Sequence, residues 1–187
     1  MATSDDPLLE TLAKAAQAGD RKAFGELVKR LMNPVMALTY RMSGDRDTAS
    51  DLAQETFVAA WKELAHFRGH SSIKSWIWRI AANRSLNYLE SKNRRQKLEQ
   101  NIAPVEMTTH DSPDRRYEQE ELRRDVLAFM ATLPPQQRLV FDLRFYQQCS
   151  FEEISQIMGR ALGTVKTLYR EAVGKLRIHA RQTGWRS

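Results

Sequence analysis

Apolar positions recur every three to four residues along the chain, a period that predicts helices. The first two are expected over 7–18 and 20–32, interrupted at Gly19, with Phe24, Leu27, Val28 and Leu31 as the apolar stripe of the second. The pattern resumes at Pro34, which suits a first helical turn because its missing N–H would have no partner there, and stops at Ser43-Gly44. A longer helix begins near Asp45 or Asp47 and runs to about Ala65. Its core side carries Ala53, Phe57, Ala60, Trp61 and Leu64, and its opposite side Asp51, Gln54, Glu55 and Val58 at i, i+3, i+4 and i+7. After a short polar loop over 66–72, a further helix turns Ile73, Ile77, Ile80, Ala81 and Tyr88 towards the core.

The period fails over 96–115, where two prolines and polar clusters replace it, so that stretch reads as a flexible linker. The chain is therefore expected to be all-α, with two small helical domains over 1–95 and 116–187. In the second, helices are expected over 113–130 and 136–146, the latter burying Leu139, Val140, Leu143 and Phe145. Ser150-Phe151-Glu152-Glu153 is a capping box, in which serine and glutamate satisfy each other's backbone amides. It opens a short amphipathic helix with Ile154, Ile157 and Met158. Gly159 ends that helix, Arg160-Ala161-Leu162 turns the chain, and Gly163-Thr164 opens a helix that faces Val165, Leu168, Ala172 and Leu176 inward. This is a helix-turn-helix, whose outward residues Thr164, Lys166, Thr167, Arg170 and Lys175 sit where a major groove is read.

Few glycines and prolines among 187 residues, with 42% apolar, support the helical reading and exclude collagen-like or wholly disordered chains. The charge is more informative. Of a net +6, residues 68–97 carry +7 and residues 160–187 carry +6, leaving the remainder at −7. Two basic blocks about sixty residues apart suit two contacts with one long polyanion such as duplex DNA, although either block could be a solvated helix face. One cysteine, Cys149, allows no internal disulfide and is expected to be a buried structural thiol. The four histidines show no metal-binding spacing, so no metal or cofactor is expected. An acidic start without a signal pattern, and no apolar run of about 18 residues, place the chain in the cytoplasm with no membrane insertion.

Chemistry concentrates on the helix after the polar loop. Arg79, Asn83 and Asn87, four apart, stack along one face, with Lys74 nearby and Trp76 and Trp78 interleaved. Asparagine can bond base edges, basic groups hold phosphates and aromatic rings stack on unpaired bases, so this helix and its loop carry what single-stranded DNA requires. Trp76 belongs to the apolar stripe and is assigned to the core, whereas Trp78 lies off it and is assigned to the stacking surface. The stripe Asp51, Gln54, Glu55 and Val58 could receive a basic partner helix, or could be plain solvated surface. No Gly-rich phosphate loop or acid dyad suggests an enzyme.

In this order, the segments resemble a bacterial sigma factor of the extracytoplasmic-function group, which retains only conserved regions 2 and 4. The likeness runs from about Ala23 to Arg177. Asp51-Leu52-Ala53-Gln54-Glu55-Thr56-Phe57-Val58 followed by Trp61 is similar to the family's helix that grips the polymerase β′ clamp. Phe67-Arg68-Gly69 and Trp76-Ile77-Trp78-Arg79-Ile80-Ala81 with Asn83 are similar to its segment for melting and reading the minus-ten element. Leu133-Pro134-Pro135, Phe151-Glu152-Glu153-Ile154 and Gly163-Thr164-Val165-Lys166-Thr167 resemble the module that reads the minus-thirty-five element. The resemblance implies docking on core RNA polymerase, through its β′ clamp and β subunit, by Asp51, Gln54, Glu55 and Val58. It implies minus-ten contacts by Phe67, Arg68, His70, Ser71, Lys74, Trp78, Arg79, Asn83 and Asn87, and minus-thirty-five contacts by Arg160, Thr164, Lys166, Thr167, Arg170 and Lys175. It also implies promoter DNA and an anti-sigma protein as partners, the latter able to hold the chain near the membrane. Asn87, Leu168 and Glu171 depart from residues common in the family, so the promoter sequence does not carry over. A stand-alone helix-turn-helix regulator is the other reading, and would leave the Asp51 stripe and the Asn83 face without purpose.

Overall fold

The computed structural model describes residues 6–99 and 117–183, with side chains for 6–96 and 125–182. Every regular element among these residues is helical: α1 (Pro7–Gln17), α2 (Arg21–Ser43), α3 (Arg46–Glu63), a 3-10 turn (Leu64–His66), α4 (Ile73–Glu99), α5 (Tyr117–Thr132), α6 (Pro135–Phe145), α7 (Phe151–Met158) and α8 (Leu162–Thr183). The all-α expectation holds. Helix α4 runs to Glu99, four residues into the expected linker, and residues 100–115 of that linker lie outside the described residues.

Local chemistry sets most boundaries. Asp20 accepts from the backbone N–H groups of Lys22 (2.8 Å) and Ala23 (3.1 Å) at the start of α2, and Asp45 accepts from Thr48 N–H (2.7 Å) at the start of α3. The Thr48 bonds also hold the Asp45 carboxyl below its usual range. Gly44, at φ +77°, supplies the left-handed residue that ends α2 and returns its N–H to Tyr40 O (2.8 Å). The capping box of α7 forms as expected, with Glu153 N–H on Ser150 Oγ (3.1 Å) and Ser150 N–H on Glu153 Oε2 (2.7 Å).

At Pro34 the structure departs from the expectation. Residues 21–43 form one continuous helix with Pro34 inside it rather than at a new start. A proline in a helix interior is unfavourable by about 3 kcal/mol, but Leu27, Leu31, Val35, Leu38 and Met42 are buried along the same helix, and their packing decides. Thr39, also buried, binds α2 to the next helix by donating to Ala49 O (2.9 Å).

Helices α1 to α4 form one bundle and α5 to α8 a smaller one. The apolar core does not stop at the boundary between them: Leu27, Leu38, Phe57, Ile77 and Trp78 of the first bundle share one contiguous cluster with Leu139, Val140, Leu143, Cys149, Ile154, Ile157 and Val165 of the second. Helix α4 packs on α7, and α2 on α6. A second, smaller cluster of Phe129, Met130, Leu133, Phe141 and Ala172 lies within the C-terminal half.

Candidate nucleic-acid interface

The loop before α4 is held from both ends. Gln17, the last residue of α1, donates from Nε2 to Leu64 O (3.0 Å) and Phe67 O (2.6 Å), fixing the chain as it leaves α3. At the other end Ser72 Oγ accepts from Ser75 N–H (3.2 Å), while Glu10 of α1 accepts from Ile73 N–H (2.7 Å). Between them Gly69 turns the chain at φ +70°, and the Phe67 ring lies 5.1 Å from that of Trp76. Arg68 and His70 are exposed, and Ser71 and Lys74 are half-buried. Gln17 and Glu10 are structural supports of this loop that sequence reasoning missed. Both act across about fifty residues or more of chain, so no local pattern could have revealed them.

On α4, Arg79, Asn83 and Asn87 are all exposed and share one face, as the spacing requires. Trp78 is not part of that surface. It is 1% exposed, whereas Trp76, assigned to the core, is half-buried at the loop. The cause is that α4 is covered on a wide arc: besides Ile73, Ile77 and Ala81, the residues Ser75, Trp78, Ala82, Ser85 and Leu89 are buried. A stripe read from one apolar face underestimates a helix that packs on α2, α3 and α7 together. Trp61 errs in the opposite direction. Placed in the core by its period, it is 38% exposed and rests on Phe24, ring centroids 4.8 Å apart.

The α3 stripe stands clear of the core, with Asp51, Gln54, Glu55 and Val58 all exposed, Val58 by 54%. Glu55 is engaged, pairing with Arg84 of α4 at 2.7 Å. Half exposed on both sides, that pair contributes little to stability but couples the stripe to the helix bearing Asn83 and Asn87.

In the C-terminal half, α7, the turn at Gly159 and α8 form the expected helix-turn-helix. Gly159 takes φ +60°, and Ser155 Oγ donates to Arg160 O (2.5 Å) to close the turn. Val165 and Ala172 are buried and Leu168 and Leu176 half-buried, while Arg160, Thr164, Lys166, Thr167 and Arg170 are exposed. At about 100° per residue, Lys166, Thr167 and Arg170 cluster on one side of α8. Lys175 lies well around the helix from them, where its ammonium donates to Gln137 Oε1 (2.9 Å), and Gln137 in turn donates to Glu171 Oε2 (2.6 Å). Arg177, seven residues after Arg170 and exposed, continues the basic face instead. Phe145, expected inside, is 58% exposed and stacks on Phe141 at 5.4 Å. Cys149 is buried as expected, and burial pushes its thiol up to about 12.

Two family models match the halves in this order: Sigma-70 region 2 over residues 27–95 and Sigma-70, region 4 over residues 129–177. An ECF RNA polymerase sigma-E factor of Haemophilus influenzae is 34% identical, covering 84% of this chain and 87% of the relative. The chain belongs to the extracytoplasmic-function sigma factors. Within the family, an RNA polymerase sigma-H factor of Pseudomonas aeruginosa is 30% identical over 89% of this sigma factor and 92% of the relative. Among solved structures, CnrH in complex with the cytosolic domain of CnrY is 26% identical and matches 91% of this sigma factor and 96% of that chain with a TM-score of 0.66. The fold is also that of the sigma factor RpoE in complex with the anti-sigma factor NepR from Bartonella quintana, at 22% identity, a TM-score of 0.71 and 86% and 98% coverage. As an alternative sigma factor, the chain binds core RNA polymerase and directs promoter-specific transcription initiation. Among the described residues no helix is long and apolar enough to cross a membrane.

Proposed function

We propose that the two halves divide the work of promoter recognition. The α1–α4 half docks on the polymerase β′ clamp through Asp51, Gln54, Glu55 and Val58 and opens and reads the minus-ten element. The helix-turn-helix half reads the minus-thirty-five element and reaches the β subunit. Residues Phe67, Arg68, His70, Ser71 and Lys74 form a loop pocket for an extruded base, with Arg79, Asn83 and Asn87 holding the opened strand beside it. Extruding a base is unfavourable by a few kcal/mol, which stacking and base-edge bonds offset. The upstream duplex is contacted by Arg160, Thr164, Lys166, Thr167 and Arg170 from the start of α8. Lys175 is the weakest member of that set, because its ammonium is already bonded to Gln137. The chemistry of RNA synthesis belongs to the polymerase, and the sigma factor works in the cytoplasm where that enzyme is. An anti-sigma protein covers these surfaces until a signal removes it, and a membrane-bound one would hold the complex at the membrane.

The observation that carries this reading is the exposed face Arg79, Asn83 and Asn87 beside a loop pinned at both ends. Transcription in vitro with core polymerase tests it. The wild type is expected to give transcripts from defined start sites, and Asp51→Arg with Val58→Asp to lower core affinity at least about tenfold while the circular dichroism is unchanged. Unchanged affinity would remove the clamp assignment. A stand-alone regulator would instead bind an operator tightly and give no transcripts.

A further inference from the structure

Residues 160–187 hold seven basic side chains and a single acid, Glu171, one residue after Arg170 on α8. On a helix that enters a groove, repulsion from the phosphates makes a carboxylate unfavourable unless it meets a donor there. The outward cluster of Lys166, Thr167 and Arg170 has two edges. Lys166 and Arg170, with Arg177 beyond them, make a basic edge, and Thr167 stands at the other. Glu171 follows Thr167 by four residues, only about 40° around the helix, and so prolongs the uncharged edge. Thr164 completes it, and all three side chains are exposed.

The Glu171 carboxylate is held in place. Gln137 of α6, only 8% exposed, donates from Nε2 to Glu171 Oε2 (2.6 Å), and the Lys175 ammonium donates to Gln137 Oε1 (2.9 Å). An ammonium can only donate, so Lys175 fixes which way the Gln137 amide faces and turns its NH2 group to Glu171. Glu171 and Lys175 are four apart and could pair directly across the helix surface. The structure instead sets a buried amide between them, which anchors one carboxylate oxygen and leaves Oε1 to accept from outside.

In the major groove the base amino groups that donate are N4 of cytosine and N6 of adenine. Adenine sets its N7 acceptor beside the amino group, against a carboxylate, so cytosine is the better partner. We propose that Glu171 is a specificity-determining residue of the helix-turn-helix, accepting from the N4 amino group of a cytosine in the upstream element, with Gln137 and Lys175 as its positioning residues. The proposal rests on the two-element reading above and divides the outward surface of α8, the basic edge holding phosphates and the other edge reading bases.

Holoenzyme assembled from the full chain and core polymerase tests this. It is offered promoter duplexes taken from the start sites of the transcription experiment and randomised upstream of the minus-ten element, and the bound sequences are counted. The wild type is expected to prefer cytosine at one upstream position at least about fivefold over the other bases. Glu171→Ala should abolish that preference and leave the other positions as they were. Glu171→Gln should move it towards adenine, whose N6 and N7 suit a glutamine amide. Gln137→Leu should weaken the cytosine preference at that position alone, whereas a merely structural role would weaken every position alike. Should this buried variant fail to fold, Lys175→Met tests the same link from an exposed position. Preferences unmoved by Glu171→Ala, or lowered equally at all positions, would overturn the assignment and leave the two-element reading standing. A wild type with no preference anywhere upstream removes the two-element reading, and the role of Glu171 with it.

Discussion

Gln17 holds two carbonyls at the end of α3 with one amide, and thereby sets where the loop to α4 begins. Its bonds lie at the margin of the core, so removing them should cost about 1–2 kcal/mol of stability and leave the helices intact. The loss of function should be larger, because a loop that captures an extruded base must be in position before the base arrives. Gln17→Ala is expected to slow promoter opening about three- to tenfold, read as permanganate reactivity of unpaired thymines, while closed-complex affinity stays within about twofold. Equal loss in both steps would show that the residue supports folding only. Cys149 gives an independent residue-scale prediction. Burial raises its thiol to about 12 from an ordinary value of 9.0, so the folded state holds the proton more tightly than the unfolded state. The resulting stability is complete below pH 9 and declines as pH rises from there towards 12. Relative to Cys149→Ala, the wild type should therefore lose stability more steeply above pH 9, as urea unfolding at a series of pH values would measure.

The recognition helix shows at element scale what sequence pattern can and cannot establish. Val165, Leu168, Ala172 and Leu176 were legible as the inner face because α8 has one buried side, and the capping box of α7 was legible because all its partners lie within four residues. Trp78 and Pro34 were not. Pattern within the single helix that carries each residue is not enough, because neighbours far along the chain decide its placement: α4 packs on α2, α3 and α7, and α2 runs on through Pro34 with buried core residues on both flanks. Lys175 belongs to the same class, since only the fold brings it to Gln137, 38 residues earlier. This distinction has a measurable consequence. Removing a cation that neutralises one phosphate should reduce the slope of log affinity against log salt by about one. Arg170→Ala and Arg177→Ala are each expected to do so in the holoenzyme bound to promoter DNA, whereas Lys175→Ala should leave the slope unchanged. A Lys175 effect equal to that of Arg170 would move the DNA-facing side of α8 around the helix.

At the scale of the whole molecule, the shared core makes a statement about cooperativity. Residues 117–183 alone form a small unit, and single cores of that size rarely supply more than about 3–5 kcal/mol. In the structure that unit gains cover from α2 and α4 over Leu139, Val140, Leu143, Ile154 and Ile157, and its buried Asp142 accepts from the Arg41 guanidinium of α2 in the other half. Removing that cation leaves a carboxylate with no exposed surface and its principal counter-charge gone, a condition that separation of the halves relieves by rehydrating it. The free wild-type chain should therefore melt as one cooperative unit, with calorimetric and van't Hoff enthalpies equal. Arg41→Glu should divide the melt in two, the lower transition belonging to the helix-turn-helix half and the calorimetric enthalpy exceeding the van't Hoff value. The upper transition should stay within a few degrees of the wild type, because α1 to α4 keep their own core of Leu27, Leu38, Ala53, Phe57 and Ile77. Two transitions already present in the wild type would mean that the halves fold independently, and that the continuity of the core adds nothing to their stability.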